Sequence, residues 1–136
     1  MTDDINSSPA AEYARWCIRK NNRKAPHYVK LQAKSWLKIL DGRDKEACVD
    51  EQAYRKLCKL LKLIRHPDLG ISMYEGMEDY AWFLIVATLC TVNRADGTRY
   101  YETALLEIAR KNFKTFNSAV IFILLMLTEK RFSRFF

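Results

Sequence analysis

The sequence predicts an all-α fold, a single compact domain of five to six helices arranged as a bundle or a short stack of helix pairs. Three observations lead there. Apolar residues recur at helical spacing in successive segments, and no stretch sustains the alternation of a half-buried strand. The 4 glycines and 3 prolines in 136 residues leave little material for a turn-rich β architecture. With 49% apolar and 29% charged residues, the chain has the composition of a folded domain.

The elements follow in order. Residues 1–8 read as a flexible leader and residues 9–136 as the domain. Ser8-Pro9 is a helix start, since serine caps and proline suits the first helical position. The first helix covers 9–21, with Tyr13, Trp16 and Cys17 on one side and Arg15, Arg19 and Lys20 on another. After a polar break at 21–25 the second helix covers 26–40. Val29, Ala33, Trp36, Leu37 and Leu40 share one face of it, and Lys30, Lys34 and Lys38 lie on the other side. Asp41-Gly42 stops it.

A third helix, 50–65, sends Ala53, Leu57, Leu60, Leu61 and Ile64 inward and Arg55, Lys56, Lys59 and Lys62 outward. Its acidic start and basic end suit the helix dipole. Pro67 and Gly70 end it, and Ser72-Met73-Tyr74-Glu75 fits a capping box, with Gly76 shortening the turn that follows. The fourth helix, 78–93, is apolar nearly all round and is the expected central helix. Ala95-Asp96-Gly97 turns the chain into a fifth helix, 99–112, capped by Thr98. A sixth, 118–130, is again strongly apolar and is expected to share the core. The apolar runs 80–92 and 119–127 fall short of the roughly 20 residues that span a bilayer, so no membrane span is expected.

Charge divides unevenly along the chain. The net charge is +7, and residues 1–66 hold 15 basic and 8 acidic side chains, whereas residues 67–136 hold 8 of each. The excess therefore belongs to the basic helices of 9–66, and the apolar helices of 67–136 are neutral. Such a surface points to an acidic partner.

Chemistry-bearing motifs are absent. There is no Gly-rich phosphate loop, nucleophile elbow or zinc-protease helix. Cys17, Cys48, Cys58 and Cys90 form no C-x-x-C, and His27 and His66 give no zinc spacing. The acids Asp41, Asp44, Glu46, Asp50 and Glu51 lack the register of a calcium loop. No catalytic residue, metal ligand or cofactor is assigned, and a non-catalytic protein is expected. Sparse cysteines without pairing motifs suit an intracellular protein, cytoplasmic or nuclear, and the acidic, polar N-terminus is no signal peptide.

The candidate partner-binding residues are Arg19, Lys20, Arg23, Lys24, Lys30, Lys34, Lys38, Arg55, Lys56, Lys59 and Lys62. If the first three helices pack side by side, these merge into one basic face. The favoured function is an adaptor or scaffold that docks an acidic segment of a protein partner. The alternative is sequence-nonspecific binding of an RNA or DNA backbone by the same residues. Lysines outnumber arginines in this set, which disfavours base-specific readout. Trp16, Tyr28, Trp36 and Tyr54 lie near the cations in sequence, where exposed rings would stack on bases. Trp16 and Trp36 are expected in the core. Phe132, Phe135 and Phe136 close the chain as a candidate docking tail, through which self-association is a further option.

His66-Pro67-Asp68, following a basic helix that contains Tyr54-Arg55-Lys56-Leu57, resembles the J-domain of Hsp70 co-chaperones. The resemblance implies a loop that stimulates the chaperone's ATPase. The spacing departs from the family's by about one helical turn, and the family's first-helix motif is missing.

Overall fold

The computed structural model describes residues 4–20, 22–66 and 69–101, all within one compact unit, Met1–Tyr101. These residues are mostly helical with one small two-stranded sheet. A 3-10 turn, Ile5–Ser7, opens the chain, and Ser8 then caps α1 (Pro9–Cys17) by accepting from the Ala11 amide. α1 buries Ala10, Ala11, Ala14 and Cys17, a strip of small side chains that lets it lie close against α5 (Asp79–Cys90). Its other neighbour is α2 (His27–Leu40), which buries Ala33, Trp36, Leu37 and Ile39.

After the turn at Asp41-Gly42 comes β1 (Ala47–Val49), and Asp50 then caps α3 (Glu51–Leu63), its carboxylate accepting from the Gln52 and Ala53 amides. α3 buries Tyr54, Leu57, Cys58 and Leu61, so its inward face includes two residues beyond the aliphatic set the sequence indicates. A short α4 (Met73–Gly76), capped by Ser72 as the capping box predicts, leads into α5. α5 is the central helix expected from its all-round apolarity: Ala81, Trp82, Phe83, Ile85, Val86, Ala87 and Cys90 are buried. It packs against α1 and α3, and Phe83 meets Trp36 of α2 edge-on at 5.6 Å.

Three predicted boundaries move. The fourth helix stops at Cys90, and β2 (Thr91–Asn93) pairs antiparallel with β1, Cys48 opposite Val92. Two long-range contacts favour the strand over continued helix. The Asp50 amide donates to the Cys90 carbonyl at 2.8 Å, and the buried Trp36 indole donates to Thr91 Oγ1 at 3.1 Å. Thr98 and Arg99 do not start a helix: Asn93 donates to the Thr98 carbonyl, and Val92 bridges Arg99. The reversal between them uses Gly97 at φ 73°, a left-handed conformation that glycine adopts without strain. The first helix ends at Cys17 rather than 21 because Asn22 takes over its terminus, its side-chain amide donating to the Trp16 carbonyl at 2.8 Å. The sixth predicted helix, most of the fifth, and Phe132, Phe135 and Phe136 lie outside the described residues.

Candidate functional site

The basic helices α2 and α3 are not packed side by side, the condition on which one merged face was expected. α2 packs on α1 and β1, whereas α3 packs on α4 and α5, so the cations divide into two surfaces. The first comprises the loop after α1 together with α2, and the second is the outer face of α3.

The first surface is organised by Asn22. Besides closing α1, its Oδ1 accepts from the Lys24 and Ala25 amides at 2.9 and 3.2 Å. Its carbonyl accepts from Lys30 Nζ at 2.7 Å. Lys30 is therefore half-buried and committed to holding the loop, which corrects its reading as an outward lysine. The consequence is that Arg19, Lys20, Arg23 and Lys24 flank a residue tied to α2 through Lys30, and these four with Lys34 and Lys38 of α2 are all exposed. None of them pairs with a carboxylate among the described residues. Tyr28, on the first turn of α2, stands 82% exposed, its ring edge-on to that of His27 at 5.5 Å. Leu31 is also exposed, and Trp16, at 36%, lies partly open rather than in the core. Trp36 and Tyr54 are fully buried.

On α3, Arg55, Lys56, Lys59 and Lys62 are all exposed. Arg55 reaches Glu51 at 3.8 Å, a solvent-exposed i, i+4 pair worth little. The Lys62 ammonium sits 4.6 Å over the Tyr74 ring of α4. Leu63, which the amphipathic reading of this helix left unassigned, is 80% exposed. It lies one turn beyond Lys59, in register with the lysines, and that register was the available signal.

The arrangement offers little to covalent chemistry in the described residues. Cys17, Cys58 and Cys90 are buried and Cys48 half-buried, and none of the four is in a disulfide. Burial pushes the Cys17 and Cys90 thiols up, away from the reactive thiolate. Among the described residues no group of three His, Cys, Asp or Glu side chains is placed to hold a metal ion. Nor is any helix there long and apolar enough to cross a membrane. An open cleft of about 330 Å³ lined by Asp4, Ile5, Glu51 and Arg55 lies away from the first cationic surface. His66 belongs to a tight reversal, its Nδ1 accepting from the Leu69 amide at 3.2 Å. Pro67 and Asp68 lie outside the described residues. No family model, no curated protein and no solved structure matches the chain.

Arg94 is the residue with the most consequential contacts that sequence reasoning missed. Its guanidinium donates to the carbonyls of Asp44, Ala47 and Gly42, and its amide donates to the Glu46 carbonyl. It ties the loop between α2 and β1 to β2, which fixes the C-terminal end of α2 where Lys38 stands.

Proposed function

We propose that the chain is a non-catalytic helical module of the intracellular space, a single bundle of five to six helices, that binds a nucleic-acid backbone without sequence specificity. The site is the turn after α1 together with α2. The observation that carries this reading is the exposure of the Tyr28 ring together with that of Arg19, Lys20, Arg23, Lys24, Lys34 and Lys38. Cations neutralise phosphates and release counterions, which is insensitive to sequence. An exposed ring adds stacking on an unpaired base, again with little base preference. Four of these six cations are lysines, which suits backbone contact rather than base readout.

The test is fluorescence anisotropy of labelled single- and double-stranded oligonucleotides. Lys34→Glu with Lys38→Glu is expected to weaken both by about tenfold or more. Tyr28→Ala is expected to weaken the single strand selectively, by the about 1–3 kcal/mol that one stacked base is worth. Affinities unchanged by the lysine reversal would refute the proposal.

A second reading, an adaptor docking an acidic segment of a protein partner, is favoured on α3 by the exposed Leu63 beside Lys59. Phosphates gain nothing from an aliphatic neighbour, whereas a protein segment does.

A further inference from the structure

We propose that Trp16 is a second stacking platform, so that the site takes an unpaired strand with one base on Trp16 and another on Tyr28. The inference rests on the nucleic-acid reading above and names its preferred substrate, a single strand over a duplex. Trp16 is 36% exposed at the end of α1, whereas Trp36 and Trp82 are fully buried. Its ring lies 5.7 Å from that of Tyr13, tilted 33° to it. Tyr13 in turn stands 5.7 Å from Phe83 of α5, which meets Trp36 edge-on. Trp16 is thus the open end of a row of rings that begins in the core. A ring held in this way loses little side-chain freedom when a base stacks on it.

The backbone ties this ring to the cations. The Trp16 carbonyl accepts from the Asn22 side-chain amide at 2.8 Å and from the Arg19 amide at 3.3 Å. The Asn22 carbonyl accepts from Lys30 Nζ at 2.7 Å, and Lys30 lies two residues beyond Tyr28. Asn22 therefore joins the end of α1 that carries Trp16 to the first turn of α2 that carries Tyr28. From Pro9 to Lys24 the sequence holds five cations, Arg15, Arg19, Lys20, Arg23 and Lys24, and one acid, Glu12. Arg15 is engaged by the Asn6 carbonyl at 2.8 Å. Glu12 precedes Trp16 by one helical turn, and Asp79 of α5 lies close enough to Tyr13 to help push its hydroxyl up. These carboxylates belong to the Tyr13 end of the pair, whereas Arg19 and Lys20 follow Trp16 toward Asn22. A phosphate is drawn to the Asn22 end and its base to the ring. A duplex keeps its bases paired, so the two rings add nothing to its binding.

The experiment titrates the full chain with labelled oligothymidylate and with a duplex of equal length, following anisotropy and tryptophan emission together. The chain has 3 tryptophans and two of them are buried, so quenching by a stacked base reports Trp16. Oligothymidylate is expected to quench the emission as its anisotropy saturates, and the duplex to leave the emission unchanged at equal occupancy. Trp16→Phe is expected to abolish the quenching while keeping the affinity, since a phenyl ring still stacks. Trp16→Ala is expected to weaken oligothymidylate binding about tenfold and duplex binding not at all. The titration of the unaltered chain decides the matter without any variant. A rise in anisotropy with emission unchanged overturns the inference and leaves the nucleic-acid reading standing. Absence of any anisotropy change overturns the two together. Quenching that survives in Trp16→Phe overturns the inference, because a buried indole then produces it. Equal quenching by the duplex or by polyglutamate does so as well, since charge without an unpaired base then moves the signal.

Discussion

On the turn after α1 and on α2 the exposed apolar side chains include rings, with Tyr28 open to solvent and Trp16 partly so, beside the aliphatic Leu31. On α3 the exposed large apolar side chain is Leu63, and the ring that Lys62 covers, Tyr74, is buried. Both surfaces are basic, and a count of charge does not separate them. The uncharged neighbour does: a ring offers a face to a base, and an aliphatic group offers only desolvation to another apolar group. The scaffolds differ as well. The first surface is a loop fixed by Asn22 and Lys30, and the second is one helix whose cations follow its own periodicity.

The strongest way to break the comparison is through the core that the two surfaces share. Trp36 is fully buried, meets Phe83 of α5 edge-on and donates to Thr91. Trp36→Ala is expected to cost about 3–5 kcal/mol in urea unfolding, abolishing both surfaces at once. Loss of the α2 surface with α3 intact would show that the two belong to separate folding units. Thr91→Val, which strands the indole N–H, is expected to cost about 1–3 kcal/mol by the same measurement.

A smaller perturbation separates the surfaces. Arg94→Ala removes the guanidinium hydrogen bonds to the loop 42–47, and about 1 kcal/mol of stability is expected to go with them. It should weaken oligonucleotide binding through the displaced end of α2 and leave acidic-peptide binding on α3 unchanged.

The smallest effect is on pH dependence. The Ala47 and Glu46 amides hold the Asp44 carboxyl below the usual carboxylate range, and the Thr98 hydroxyl and amide do the same for Asp96. A depressed native value stabilises the folded state fully above the unfolded value of about 3.9, and the contribution is lost as pH falls through the native value. The urea midpoint is therefore expected to decline below about pH 4, and less steeply in Asp44→Asn. At the other extreme, burial first and then the Cys17 thiol push Tyr13 up to about 12. Its contribution is complete below the unfolded value of about 10 and is lost as pH rises through the native one.

How far the sequence reached is clearest in α2 and α5. In α2 the positions Ala33, Trp36 and Leu37 repeat at helical spacing, and the structure buries that face with Ile39 added at its edge. α5 was legible as the central helix because no charged residue interrupts it after Asp79. Its end was not, because Thr91-Val92-Asn93 continues the same apolar run. What turns it into a strand is Ala47–Val49, together with an indole 55 residues away. Arg94 is similar: its partners lie 47 to 52 residues earlier, beyond any local pattern. At the sites, exposure of Lys34, Lys38, Lys56 and Lys59 followed from helical phase. Lys30 shared that phase and was nevertheless captured by the Asn22 carbonyl, which only the path of the loop reveals.

The central claim is that the cations around α2, and not those on α3, hold the nucleic acid. The measurement is the salt dependence of oligonucleotide affinity from about 50 to 200 mM for the native chain, Lys34→Glu/Lys38→Glu and Lys56→Glu/Lys59→Glu. The account predicts that the α2 pair flattens the log–log slope by about 2, one for each phosphate that a lysine no longer neutralises, and that the α3 pair leaves it unchanged. An equal flattening by the α3 pair, or no binding by the native chain at about 50 mM salt, would contradict it.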